Sequence, residues 1–88
     1  MIVEYDFIAF FLKIMLEEHF HTKSAMARAL GLHLRTIQTT YNRSGSAKGA
    51  CLAFERSICY CYDNGISVDA IYETYILQKT DSPVEQLK

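Results

Sequence analysis

The stretch Lys23-Ser-Ala-Met-Ala-Arg-Ala-Leu-Gly-Leu-His-Leu-Arg-Thr-Ile-Gln-Thr-Thr-Tyr-Asn42 decides how this chain folds. Met26, Ala27 and Leu30 recur at helical spacing, a glycine follows, and Leu34, Ile37 and Tyr41 then recur at three and four. Residues three and four apart share a helix face, so the stretch encodes two short amphipathic helices. Thr22 caps the first of them, and Gly31 ends it, because glycine enters the left-handed backbone region at least cost. The packing requirements of two helices joined by a tight turn are also met. Ala27, four residues before the glycine, is small where the helices must approach closely. Leu30 and Leu32 flank the turn and anchor it, and Ile37 is the residue that the middle of the second helix must bury. A large residue at 27 would push that helix off its angle, and a β-branched residue at 31 would strain the turn.

Working outward, the apolar run from Phe7 to Leu16 predicts a first helix capped by Asp6 and running to about His19, apolar around nearly its whole circumference. The second helix follows Thr22 and the third spans about Leu34 to Asn42. Arg43 to Gly49 is the one loop-like stretch, and a fourth helix runs from about Ala47 to Tyr62, stopped by Asn64-Gly65. Ser67 caps a fifth, with Asp69 in its first turn and Ile71, Tyr72, Tyr75 and Ile76 as its apolar face. Asp81-Ser-Pro83 is expected to end it. The chain therefore reads as all-α with five helices: a single domain over residues 1–80, then a C-terminal tail over 81–88 whose last five residues fray.

With 88 residues, 50% hydrophobic and 22% charged, the composition is that of one globular core and excludes a disordered chain. The most apolar stretch is broken by Lys13 and is about half the length of a bilayer span. Glu4 and Asp6 stand where a secretory signal would carry positive charge. An odd set of three cysteines, Cys51, Cys59 and Cys61, on one helix argues against a disulfide framework and for a reducing compartment. A cytoplasmic protein is expected.

Charge is segregated. Met1 to Glu18 holds four acids and one lysine, His19 to Phe54 holds five bases and no acid, and Glu55 to Lys88 holds six acids and three bases. The middle 36 residues add three histidines to Lys23, Arg28, Arg35, Arg43 and Lys48. Such a block suits a polyanion, with acidic flanks that limit nonspecific binding elsewhere; the plainer alternative is a solvated stretch that lacks acids. The third helix tips the balance. Opposite Leu34, Ile37 and Tyr41 it sets Arg35, Gln38, Thr39 and Asn42, without a carboxylate or an aliphatic side chain. Arginine pairs bidentately with guanine, glutamine and asparagine with adenine, and the threonine methyl can touch thymine.

The window resembles the Cro/phage-repressor (XRE-like) helix-turn-helix family, and the resemblance covers roughly residues 6 to 78. That family adds one helix before the motif and two after, and Gly65-Ile-Ser-Val-Asp-Ala-Ile-Tyr72 looks like its short capped fifth helix, with Val68 and Ile71 facing the core. The resemblance implies a five-helix lambda-repressor-like domain reading the major groove of double-stranded DNA with its third helix. By family position, His33, Leu34, Arg35, Gln38 and Thr39 are base readers, joined by Asn42 from the wheel. Lys23, at a helix N-terminus that favours an anion, and Arg43, Ser44, Ser46 and Lys48 in the following loop are the expected phosphate contacts. Two residues depart from the family pattern. Thr40 stands where an apolar residue is usual, with Tyr41 expected to take over its packing, and Leu34 is apolar at a position often used for DNA contact. Together they leave the rotation of the third helix open.

No cofactor, metal or small-molecule ligand is implied. Cys59 and Cys61 are two apart on a helix, no C-x-x-C pair exists, and buried packing is the expectation for these cysteines. No phosphate-binding loop, nucleophile elbow or zinc-protease motif occurs, so an enzyme is not expected. Ile2, Val3, Tyr5 and Phe7, with Tyr60, Tyr62, Tyr72 and Tyr75, exceed what a small core readily buries. A homodimer through the first helix, the fifth or both is the expected use of that surface, with a palindromic operator as its consequence. The competing reading is a protein-interaction module, antitoxin-like or inhibitory, that keeps the fold without DNA readout; Leu34 favours it.

Overall fold

Phe7, Phe11 and Met15 recur every four residues, with Ile8 and Leu12 beside them, and all five are almost fully buried. They lie on α1, Tyr5–Met15, the helix around which the others assemble. A computed structural model describes residues 4–86, with side chains as far as residue 79, as five α-helices and no strand among the described residues. After α1 come α2 (Lys23–Leu30), α3 (Leu34–Tyr41), α4 (Ala47–Asp63) and α5 (Val68–Gln86). Each of α3, α4 and α5 packs on α1, and α2 packs on α3 and α4. Ile2 and Val3 lie outside the described residues, whereas Tyr5 and Phe7 belong to α1. Among the described residues no helix is long and apolar enough to cross a membrane.

The local signals for the short helices hold. Thr22 Oγ1 accepts the Ala25 N–H at 3.1 Å, and Gly31 ends α2 with φ of 67°. Ser67 Oγ accepts the Ala70 N–H at 3.1 Å, opening α5. Asn64 ends α4, and Gly65 follows with φ of 69°.

Elsewhere the structure corrects the expected limits. The α-helical part of α1 stops at Met15, not near His19, and Leu16–Phe20 forms a π-helical turn. His21, at φ of 70°, closes that turn by donating its N–H to Leu16 O at 2.6 Å. The turn leaves the Phe20 ring 4.8 Å from that of Tyr60 on α4. Asp6 is not the cap of α1. Glu4 occupies that position without a side-chain cap bond, and Asp6 lies in the first turn, where its carboxylate meets Arg43. The fifth helix continues through the expected stop at Asp81-Ser-Pro83 to Gln86, and Leu87 and Lys88 lie outside the described residues. A proline removes one backbone donor, which disfavours a helix at that point without forbidding it.

Burial brings three further corrections. Of the cysteines only Cys61 is buried, donating to Met15 Sδ at 3.8 Å, and burial pushes its thiol pKa up. Cys59 falls on the outer side of α4 and Cys51 on its flank, and both are exposed. Ile76 of the expected inner face of α5 is 39% exposed, while Ile71 and Tyr75 are buried. In α3 it is Thr40 that joins Ile37 in the core, both at 0% exposure, while Tyr41 is half-buried and Leu34 is turned outward.

Thr40 Oγ1 is buried without a hydrogen-bond partner. An unmade buried hydrogen bond costs about 1–3 kcal/mol, and valine has nearly the same shape as threonine. Thr40→Val is therefore expected to raise the urea midpoint, by about 1 kcal/mol of stability. A loss of stability in that variant would show that the hydroxyl has a partner after all. Ser57→Ala serves as the contrast, since Ser57 Oγ donates to Ala53 O at 2.8 Å and its removal brings no such gain.

Candidate nucleic-acid interface

The outer side of α3 follows from what its inner side buries. With Ile37 and Thr40 inward, Arg35, Gln38 and Asn42 point to solvent and Thr39 lies at the edge, half-buried. Leu34, 38% exposed, and His33, the residue before the helix, extend the same surface towards the N-terminus of α3. All six expected base readers thus lie on one side of the helix or its leading edge. The Thr39 hydroxyl is engaged within α3, donating to Arg35 O at 2.9 Å and Thr36 O at 3.3 Å, so its methyl is the group left for an external contact. His33, Leu34, Arg35, Thr36 and Thr39 form one wall of an open groove of about 510 Å³, and Ser46 and Gly49 at the start of α4 form the other.

The packing residues of the turn hold this helix at its angle. Ala27, Leu30 and Ile37 are buried and Leu32 is half-buried. Arg56, on α4, donates from Nη1 to Leu30 O at 3.1 Å and so satisfies a carbonyl at the end of α2. A Cβ at Gly31 would stand 3.0 Å from that nitrogen.

The expected phosphate contacts divide into two groups. Lys23 lies over the Tyr41 ring, 4.4 Å from its centroid, and Lys48 is exposed in the first turn of α4. Arg43, at φ of 58°, instead meets Asp6 with Nε 2.8 Å from Oδ1; both side chains are more than half exposed. Ser46 Oγ caps α4 by accepting the Gly49 N–H at 3.1 Å, and Ser44 Oγ lies 3.5 Å from Thr39 O. Arg28 is exposed on α2.

The loop after α3 is fixed by Tyr5, a residue that no sequence pattern marks for that part. The Tyr5 hydroxyl donates to Gly45 O at 3.0 Å and accepts the Gly45 N–H at 3.1 Å. Thr39 O accepts the N–H groups of Ser44 and Gly45 at 2.8 and 3.2 Å. Gly45 has to be small here, since a Cβ would stand 2.7 Å from Thr39 Oγ1 and 3.0 Å from Thr39 Cβ. Nothing in the local sequence marks a contact spanning 40 residues.

Among the described residues no group of three or more His, Cys, Asp or Glu side chains is placed to hold a metal ion. In comparison with known proteins, no family model, no curated protein and no solved structure matches the chain.

Tyr5→Phe removes both hydroxyl bonds to the loop and is expected to cost about 2 kcal/mol, at about 1 kcal/mol per hydrogen bond, measured by urea unfolding. Gly45→Ala should cost at least as much and shift the amide resonances of Thr39 to Ser46. Unchanged midpoints in both variants would mean that the loop is not held from α1.

Proposed function

We propose that this chain is a small sequence-specific regulator of double-stranded DNA, acting as a dimeric repressor and reading the major groove with α3. The observation that carries the reading is the solvent-facing side of α3, where Arg35, Gln38 and Asn42 stand together in a stretch of 36 residues without a carboxylate. A lambda-repressor-like helix-turn-helix arrangement of α2 and α3 is part of the proposal. The left-handed Gly31, the buried Ala27, Leu30 and Ile37 and the exposed outer side of α3 support it. Guanidinium and carboxamide groups are the side chains whose paired donors and acceptors match purine edges.

In this reading Arg35, Gln38 and Asn42 make the polar base contacts. The Thr39 methyl and Leu34 supply apolar contact to thymine methyls, and His33 lies at the leading edge of the helix. Lys23 supplies a phosphate contact from the N-terminus of α2, where the backbone N–H groups also favour an anion. Arg43 joins it once a phosphate replaces the Asp6 carboxylate, an exchange that costs little because an exposed ion pair is worth about 0–1 kcal/mol. Ser46, whose hydroxyl caps α4, contributes a backbone N–H, and Ser44, whose N–H is held by Thr39 O, contributes its exposed hydroxyl, 3.5 Å from the same oxygen. The cytoplasm is the compartment this function requires.

Leu34, 38% exposed at the leading edge of the polar surface, favours the second reading, a protein-interaction module on the same fold.

Selection of duplexes from a random pool tests the proposal, with binding of the winner repeated over a salt series. A palindromic motif should be enriched, with affinity falling steeply as salt rises. Arg35→Ala and Gln38→Ala should each cost about 1–3 kcal/mol on the selected duplex and relax the preference at one base pair. Lys23→Ala should weaken all duplexes alike and lower the salt slope by about 1. Unenriched binding that disappears at physiological salt would contradict the DNA reading and move the search to a protein partner.

A further inference from the structure

The outer side of α4 carries a stripe of six exposed residues, Lys48, Leu52, Glu55, Arg56, Cys59 and Asp63. At 3.6 residues per turn they occupy about 100° of arc, opposite the buried Ala50, Ala53, Phe54, Ser57 and Cys61. Their intervals of 4, 3, 1, 3 and 4 residues read the same from either end. Their chemistry is complementary from the two ends: base, apolar side chain, acid, base, thiol and acid in one direction meet acid, thiol, base, acid, apolar side chain and base in the other. Leu52 at the centre of one half is 42% exposed, a large aliphatic group left in water, and Tyr62, beside the stripe on the same helix, is 77% exposed.

We propose that this stripe pairs the chain with a second copy of itself, the two α4 helices lying antiparallel about a two-fold axis between Glu55 and Arg56. In that register Lys48 faces Asp63 of the partner subunit, Leu52 faces the partner's Cys59, and Glu55 faces the partner's Arg56. The two-fold repeats each contact, as a self-complementary surface requires. Every charge in the stripe thereby meets its opposite, and the helix dipoles are opposed. Parallel helices in register would instead set Lys48, Glu55, Arg56 and Asp63 each beside its own copy. Arg56 keeps donors for the partner because its contact with Leu30 O uses only Nη1 of a group with five N–H donors. Lys48 serves the partner's Asp63 rather than a DNA phosphate.

Exposure elsewhere does not select a second copy in this way. None of the exposed large apolar side chains among the described residues lies on α1, whose Phe10 and Ile14 are half-buried. A shallow groove of about 330 Å³ on α5 is lined by Tyr72, Glu73, Ile76 and Leu77, with a single charge and no complement to it. The α4 stripe is about 22 Å long at 1.5 Å per residue, and one helix pair buries less than the roughly 800 Å² per partner of a standard interface. The dimer is accordingly weak, with a dissociation constant on the order of 10 μM.

The inference supplies the surface for the dimeric reading above and rests on it only for the two-fold. It is tested without DNA, so that the two can fail separately. Sedimentation equilibrium of the whole chain over a concentration series should show the mass rising from 10.1 kDa to twice that value. Leu52→Glu should raise the dissociation constant about 30-fold or more, the effect of losing a central contact of about 2 kcal/mol. Lys48→Glu should weaken the dimer, and adding Asp63→Lys should restore it, which a merely unfolded variant would not do. A chain that stays monomeric throughout overturns the inference. So does a dimer that survives Leu52→Glu and is lost in Leu77→Glu, which would place the interface on α5.

Discussion

The Phe7 ring meets four others with centroids 5.1–5.8 Å away: Phe11 on its own helix, Phe54 on α4, and Tyr72 and Tyr75 on α5. The contacts with Phe11, Phe54 and Tyr72 are edge-to-face, the arrangement that sets the positive edge of one ring on the negative face of another. One side chain thus ties together the first, fourth and fifth helices. Burying a phenylalanine is worth about 1.5–3 kcal/mol, and each favourable ring pair adds about 0.5–1.5 kcal/mol. In a chain of 88 residues these are large shares of a total stability of about 5–15 kcal/mol. The placement of α3 is referred to the same helix, α1. α3 packs on α1 with Ile37 and Thr40 buried, and the loop after it reaches α1 through the Tyr5 hydroxyl.

Placement of α3 connects the core to the proposed chemistry. A helix offered to a DNA groove must keep one side free and still not roll, and this one is held at both ends. Gly31 and the Arg56 contact on Leu30 O set the turn ahead of it. Behind it, Thr39 O and Tyr5 hold Ser44 and Gly45 close to its last turn. Arg35, Gln38 and Asn42 are thereby carried on a short, fixed helix rather than on a loop. That fixing lowers the ordering cost on binding, which is the way preorganisation contributes to affinity. The proposed pairing of α4 would add a second fixed relation, between the reading helices of two copies.

Much of the fold was legible because its signals are local. A threonine or serine before an apolar run and a glycine after it act within four residues, and Thr22, Gly31 and Ser67 behave accordingly. What sequence alone left out is non-local. An acid before an apolar run looks like a cap, yet the Asp6 carboxylate is directed to Arg43, 37 residues away. The rotation of α3 was obscured by Thr40, a polar residue in a core position, which made Leu34 look like part of the buried face. For the cysteines, residue type alone misleads. Cysteine is usually buried, but Cys59 falls on the side of α4 opposite its packed residues and Cys51 on the flank. The candidate reading face was legible for a simpler reason: a helix surface without carboxylates needs no tertiary knowledge to be recognised, whereas Tyr5 and Gly45, which hold the adjoining loop, do.

The central claim is that α3 meets DNA while the outer side of α4 does not. Amide NMR of the isotopically labelled chain, titrated with a short duplex at low salt, tests it most directly. The account predicts perturbed resonances at Lys23, from His33 to Asn42 and in the loop to Ser46, with the stripe from Leu52 to Asp63 unchanged. Perturbation centred on α4 or α5, or an undisturbed α3 in the presence of excess duplex, would contradict it.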